Sequence, residues 1–156
     1  HRTPFGGRNY EYYSEDEYVS GIMAAKTVEG SLDAGTYCYM KHLICYEQDS
    51  MRDSLYTWMT EQALREIYLE PFQIAIEEGG AENLMTGFNR VGVIWTSQHG
   101  FINKVFRDEF GMKGFAVSDY WQGGYMDLVG GILGGVDDEA VIKGHIRTYF
   151  QSCDRK

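Results

Sequence analysis

Phe115-Ala116-Val117-Ser118-Asp119-Tyr120-Trp121-Gln122-Gly123-Gly124 is a short apolar run that ends in a carboxylate. Two aromatics and then paired glycines follow it. The run is too short, and too closely flanked by glycine, for a long helix, so it reads as a buried strand. In a parallel α/β protein the C-terminal end of such a strand is where a site is built. A plainer use is equally open to Asp119, because a carboxylate after a strand also caps the next helix.

Two further segments end in the same way. Gly35-Thr36-Tyr37-Cys38-Tyr39-Met40 leads into Lys41-His42, and Glu82-Asn83-Leu84-Met85-Thr86 leads into Gly87-Phe88-Asn89-Arg90. Each puts polar groups at the end of a strand-like run that follows a helical segment. Three such ends converge only if the strands are parallel neighbours. The alternation β-α-β-α-β therefore argues for an α/β fold with parallel strands.

The segments between carry the helical signals. From Ser14, with Ser14 or Asp16 as cap and Glu15 and Glu17 in the first turn, Val19, Ile22, Met23 and Lys26 recur at helical spacing, and Gly30 or Gly35 ends the segment. A strand over 36–40 follows. Lys41 and His42 cannot face the same way from a regular strand, since side chains alternate, so the backbone must bend there if both serve one site. The alternative is a solvated Lys41 beside a hydrogen-bonded core His42. Residues 43–56 read as a polar loop. A long helix begins near Thr57 to Thr60, with Ala63, Leu64, Ile67, Tyr68, Phe72, Ala75 and Ile76 on one face, Pro71 as a kink and Gly79-Gly80 as its stop. After the strand at 82–86, Phe88-Asn89-Arg90 reads as a turn. Helices are expected near 100–110 and 125–133, a strand end at Val136-Asp137-Asp138, and a weakly helical tail over 139–156.

Composition bounds the partners. The chain has 156 residues, 44% hydrophobic and 15% aromatic, which suits one globular unit with a core. Its net charge of −9 argues against nucleic acid, whose phosphates call for an excess of lysine and arginine. No apolar stretch of about 18 residues or more occurs, so no membrane-spanning helix is expected. Cys38, Cys45 and Cys153 lack the spacing of a zinc site or a disulfide framework and read as ordinary thiols. No metal or cofactor is expected, and the compartment stays open.

Residues 1–16 form a loop of glycines, aromatics, Arg2, Arg8, Asn9 and carboxylates. Aromatic rings beside fixed polar forks suit a sugar, the rings covering its apolar face and the forks reading its hydroxyls. A surface loop with satisfied polar groups has the same composition.

These residues also carry a resemblance. Arg2-Thr3-Pro4-Phe5-Gly6-Gly7-Arg8-Asn9-Tyr10-Glu11-Tyr12-Tyr13-Ser14-Glu15-Asp16 resembles a loop of glycoside hydrolase family 3, of the β-glucosidase type. So do Lys41-His42, Glu47-Gln48, Arg52, Ala63-Leu64-Arg65-Glu66-Ile67-Tyr68-Leu69 and Val117-Ser118-Asp119. Six motifs in the family's order, from residue 1 to about 135, make the resemblance specific.

The resemblance implies part of a TIM-like (β/α)8 barrel and a retaining glycosidase. Asp119 would be the nucleophile, and Arg8, Lys41, His42 and Arg52 would bind hydroxyls of the innermost sugar. Met85 and Tyr120 would complete that sugar site, Tyr120 as an aromatic wall in place of the usual tryptophan. Phe88 stands where the family often has a tyrosine, and Glu17 where it often has a proline. The segment after His42 lacks the glycine-rich, histidine-bearing form of the N-acetylglucosaminidase branch, so β-glucosides are the expected substrates. A TIM barrel takes roughly 200–250 residues or more. On that comparison 1–156 is an incomplete N-terminal catalytic-barrel domain, without the early strands and the following α/β sandwich domain that usually supplies the acid/base. Glu11 and Glu47 resemble supporting carboxylates rather than that acid. A second copy or another chain completing the barrel is the expected partner besides the carbohydrate. A non-catalytic sugar-binding module and a self-associating remnant are the competing readings.

Overall fold

The computed structural model of the chain describes residues 2–120 and 127–137. The expected strand end at Asp138, the tail 139–156, Cys153 and the stretch 121–126 lie outside them.

Helix α1 (Glu17–Asp33) starts where Asp16 accepts a hydrogen bond from the Val19 N–H at 2.8 Å, and it stops before Gly35, whose φ of 76° is left-handed. Strand β1 (Tyr39–Leu43) begins three residues later than the run 36–40 suggests. Strand β2 (Tyr56–Thr57) begins at the last residue of the stretch expected to be loop and ends where the next helix was expected to begin. The following helical rod starts at Thr60, whose side chain accepts from Ala63 N–H. It consists of α2 (Glu61–Ala63), a wider π-wound turn (Leu64–Leu69) and α3 (Glu70–Glu77). Pro71 stands just past the widened turn. It has no N–H to give the ladder, so the irregular winding accumulates on its N-terminal side.

Strands β3 (Asn83–Thr86), β4 (Arg90–Val91) and β5 (Ile94–Trp95) follow, then a π-wound helix (Ile102–Arg107), β6 (Ala116–Val117) and α4 (Leu128–Gly134). Gly111, at φ 77°, takes the chain out of the Ile102–Arg107 segment.

The main sheet has the order β1-β3-β6, and both pairings are parallel. The three strand ends named from the sequence are therefore neighbours. Asp137 N–H donates to Ala116 O at 2.8 Å, so the chain after α4 returns beside β6, where a strand end was expected. The core lies between this sheet and the helices and includes Leu43, Ile44, Leu69, Leu84, Ile102, Phe106 and Ala116.

Two features differ from the sequence reading. The buried face of α1 is Gly21, Ala25 and Val28, whereas Val19 and Met23 are each 48% exposed. The small face lets α1 lie close to α3. A Cβ on Gly21 would stand 2.7 Å from Ile74 Cδ1, and one on Gly79 2.5 Å from Ala25 Cα. Backbone proximity, not side-chain hydrophobicity, selects that face. The second feature is a small sheet, β2-β4-β5, with β2–β4 parallel and β4–β5 antiparallel. Phe88-Asn89-Arg90 is its entry rather than a simple turn. The Arg90 guanidinium lies 4.6 Å from the Tyr56 ring centroid and 3.4 Å from that of Trp95. Two-residue strands are too short to show any periodicity, which is why the sequence hides them.

Candidate active site

The C-terminal ends of β1, β3 and β6 and the N-terminal loop meet at one place. Asp119 follows β6 by two residues and is 9% exposed. Its Oδ1 accepts the N–H of Tyr120 at 2.7 Å. Its Oδ2 lies 3.2 Å from His42 Nε2, yet the angle leaves Oδ2 without a well-directed hydrogen bond among the described residues. Thr86 Oγ1 and Asn89 Oδ1, at and just beyond the end of β3, are likewise buried without a partner. Buried polar atoms without partners are rare, and these three stand at one end of the sheet among the described residues.

Burial by itself would raise the pKa of Asp119. The His42 contact, the Tyr120 N–H and the charges of His42 and Arg8 outweigh it, so the carboxyl is held below its ordinary value. Asp119 is therefore a buried, ionised carboxylate at neutral pH.

The expected backbone bend at Lys41-His42 is present. The register of β1 against β3 shifts between Met40 and Leu43, and the Lys41–His42 and Leu43–Ile44 peptide bonds are cis. His42 is buried, while Lys41 is partly exposed and reaches the carboxylate of Glu11. Asn89 holds the chain beyond the bend, its Nδ2 donating to Ile44 O at 2.8 Å and Cys45 O at 3.1 Å.

Arg8 meets this group from the loop, at a left-handed φ of 56° that the preceding glycines, Gly6 and Gly7, lead into. Its Nε and Nη2 donate to the two oxygens of Glu11 at 2.6 and 2.9 Å, and Nη2 lies 3.3 Å from His42 Nε2. Arg52 arrives from the 3₁₀ turn Arg52–Ser54, donating from Nη1 to Asp49 Oδ1 at 3.1 Å and to Tyr46 Oη at 3.3 Å. The Tyr46 hydroxyl joins the two arginines, accepting also from Arg8 Nη1 at 3.3 Å and donating to Asp49 Oδ1 at 2.6 Å.

Four expected residues, Arg8, Lys41, His42 and Asp119, thus form one connected cluster, and Arg52 joins it through Tyr46. Tyr120 enters through its backbone, and its ring is 46% exposed. Met85 pairs with Val117, two residues before Asp119, and is partly buried there. Tyr12, Tyr46 and Asp49 were not singled out in the sequence. Tyr12 and Tyr46 lie outside regular helices and strands, so no spacing in the sequence gives the direction of their side chains.

The Arg8 hydrogen bonds outweigh the effect of burial and, with Lys41, pull the Glu11 pKa down to about 2. Asp49 is also held low, by Tyr46 first and by Arg52 and Arg8. Neither carboxyl keeps a proton near neutrality. A cavity of about 350 Å³ adjoins the cluster, sharing Glu11, Tyr12, Lys41, His42 and Tyr46, but it opens toward α1 and Phe72 and does not touch Asp119. No group of three or more metal-ligating side chains occurs among the described residues, and no helix there is long and apolar enough to cross a membrane.

Residues 1–137 match the family model described as the glycosyl hydrolase family 3 N terminal domain. A probable β-glucosidase J of Emericella nidulans is 40% identical over 139 residues, which is 88% of this chain and 16% of that protein. A β-glucosidase of Ruminococcus albus is 38% identical over 122 residues, 78% of this chain and 13% of the relative. Among solved structures, β-glucosidase 3B from Thermotoga neapolitana in complex with glucose superposes with a TM-score of 0.84 at 37% identity, over 89% of this chain and 19% of that one. The Bifidobacterium adolescentis GH3 β-glucosidase gives 0.89 at 29% identity, over 99% and 23%. The chain spans about a sixth or less of the length of these curated relatives.

Proposed function

The chain belongs to glycoside hydrolase family 3 and forms a sector of its N-terminal TIM-like barrel, and from that premise we propose that it carries the nucleophile half of a retaining β-glucosidase site. The observation that supports this reading is Asp119, a buried carboxylate kept ionised at a strand end and faced by His42 and Arg8.

Hydrolysis of a β-glucoside passes through an oxocarbenium-like transition state, which an ionised carboxylate against the anomeric carbon stabilises and then captures as a glycosyl ester. Asp119 fills that role. Arg8, Lys41, His42 and Arg52 bracket the space beside it and offer donors to the ring hydroxyls. Glu11 offsets one of the two positive charges of Arg8 and Lys41 and orients both side chains, so these groups fix the sugar through directed hydrogen bonds. Met85 and Tyr120 line the apolar side of the same subsite.

Departure of the aglycone needs a proton. Glu11 and Asp49 hold none near neutrality, so the acid is a group other than these two. Among the described residues, the outer edge of β1 has no strand partner in the main sheet, while Asp137 meets the outer edge of β6 at Ala116. An edge such as that of β1 accepts a further strand, either from the rest of the barrel or from another chain.

A 2-fluoro glucoside with a dinitrophenyl leaving group tests the nucleophile without the acid, because that group departs unprotonated. Intact-mass analysis is expected to show one glycosyl adduct, mapped to Asp119 and absent from Asp119→Asn. Folded protein that forms no adduct would overturn the catalytic reading. If glucose then still protected the amides around Lys41 from exchange, a non-catalytic sugar cradle would replace it.

A further inference from the structure

Tyr46 is 3% exposed, and its hydroxyl meets three charged groups. It accepts from Arg8 Nη1 and from Arg52 Nη1, each at 3.3 Å, and donates to Asp49 Oδ1 at 2.6 Å. A phenol oxygen has one proton to give and two lone pairs to offer, and these three contacts match that inventory. Burial and the Asp49 hydrogen bond raise the phenol pKa against the pull of the two arginines, so the group stays an O–H. The ring is held by its neighbours, with the His42 ring 5.1 Å and the Phe88 ring 6.4 Å away between centroids.

The two arginines come from separate segments, Arg8 from the N-terminal loop and Arg52 from the turn at 52–54. Like charges left to themselves would part. Asp49 offsets them, its Oδ1 standing 3.1 Å from Arg52 Nη1 and 3.8 Å from Arg8 Nη1. Each cation also has an anchor of its own. Glu11 takes Nε and Nη2 of Arg8, and the Phe88 ring lies under Arg52. Neither anchor sets one guanidinium relative to the other. Tyr46 Oη does, and the Asp49 carboxylate that shares the bridge is itself held by the phenol.

Building on the glycosidase reading, we propose that Tyr46 is a positioning residue: its hydroxyl couples Arg8 to Arg52, so that the two guanidiniums meet a sugar as one preset pair of donors. Tyr46 touches no sugar in this role and acts through the arginines. Setting the pair in advance spares the entropy of ordering two long side chains when the ligand arrives.

Tyr46→Phe keeps the ring and removes only the hydroxyl. The Asp49 N–H still donates to Gly6 O at 2.7 Å and ties the turn to the loop. Spectra of the full chain labelled with ¹⁵N-arginine, recorded without sugar, read the bridge directly. In the wild type the Nη1 protons of Arg8 and Arg52 are expected to exchange slowly with water. In Tyr46→Phe both are expected to exchange about tenfold faster, while Arg8 Nε, donating to Glu11, is unchanged. The Asp49 carboxyl, held low first by the phenol, is expected to titrate at higher pH in the variant, and Glu11 to remain low. In glucose titrations, the combined loss in Arg8→Lys with Arg52→Lys is expected to fall short of the product of the two single losses. In the Tyr46→Phe background the losses multiply. Faster exchange at one arginine alone, or at neither, would overturn the proposal. So would an unmoved Asp49 titration, or losses that multiply in the wild type. Should Tyr46→Phe not fold, the wild-type exchange rates and the wild-type cycle decide, and rapid Nη1 exchange at either arginine overturns the coupling. The exchange spectra need no ligand, so a chain that binds no glucose loses the glycosidase reading while the bridge is judged on those spectra alone.

Discussion

The guanidinium of Arg52 stacks over the ring of Phe88, 3.9 Å from its centroid. Phe88 is 2% exposed, so the ring is a fixed platform, and the cation lies over it with Nη1 donating to Tyr46 and Asp49. Phe88 thus has a definite use here. It orients Arg52 by cation–π attraction, worth about 0.5–2 kcal/mol.

Arg52→Lys keeps the charge and loses both the planar fork and the stack. Glucose affinity, followed by chemical-shift titration, is expected to fall about tenfold, near 1.4 kcal/mol. Phe88→Ala removes a buried ring as well as the platform and should cost about 3–5 kcal/mol in urea unfolding. Equal glucose affinity in Arg52→Lys and wild type would show that the stack does not serve the sugar site.

Glu11 sets an acid limit on the site. Its carboxyl titrates near 4.5 when unfolded and about 2 when folded, so it binds fewer protons in the native state. Its stabilising contribution is full above the unfolded value and disappears as pH falls toward 2. Glu11→Gln should therefore be less stable than wild type at pH 7, with the gap closing between about pH 4.5 and 2. Denaturation midpoints measured at pH 7 and pH 3 check this. A gap that stays constant would remove Glu11 as the cause.

Gly21 tests the close approach of α1 to α3. Gly21→Ala places a methyl 2.7 Å from Ile74 Cδ1 and should destabilise by about 1–3 kcal/mol through overpacking. Because the obstacle is a side chain, Ile74→Val should recover part of that loss, visible as a non-additive double-mutant cycle. At Gly79 the obstacles are the Ala25 backbone and Ala75 O, so no single side-chain change should rescue Gly79→Ala. Additive energies for Gly21→Ala and Ile74→Val would contradict the contact.

Asn89 holds the loop that carries the site. It donates to two carbonyls just beyond β1, at Ile44 and Cys45. Asn89→Ala takes the side-chain donor from Ile44 O, while Cys45 O keeps the Glu47 N–H at 3.1 Å, so the expected cost is about 1–3 kcal/mol for the one carbonyl. The loss should appear as faster amide exchange from Ile44 to Asp49 ahead of the main sheet. Uniform destabilisation of all strands would argue against a local clamp.

Much of this was legible in the sequence. Asp119, His42 and Thr86 could be read as strand ends because an apolar run that stops at a polar group has few other uses in an α/β chain. Parallel pairing followed, since only neighbouring parallel strands bring such ends together. The bend at Lys41-His42 was forced by alternation once both residues were assigned to one site. The α1 stripe failed for an equally physical reason. Val19 and Met23 have helical spacing and apolar side chains, but burial went to the face whose small residues admit α3. Tyr12 and Tyr46 were hidden because a loop has no period from which to infer direction.

The sequence by itself determined the alternation of strands and helices, the order of the motifs and the identity of the carboxylate at the end of β6. Those are properties of local runs, and local runs are written residue by residue. Tertiary structure alone decided that Arg8 and Lys41 share Glu11, that Tyr46 joins two arginines, and that His42 stands between Tyr12 and Asp119. Each of these includes a contact between residues 30 or more apart in the chain, fixed by how the sheet, the loop and α1 pack together. Hydrogen-bond strength and pKa depend on those contact distances, and no pattern along the chain encodes them.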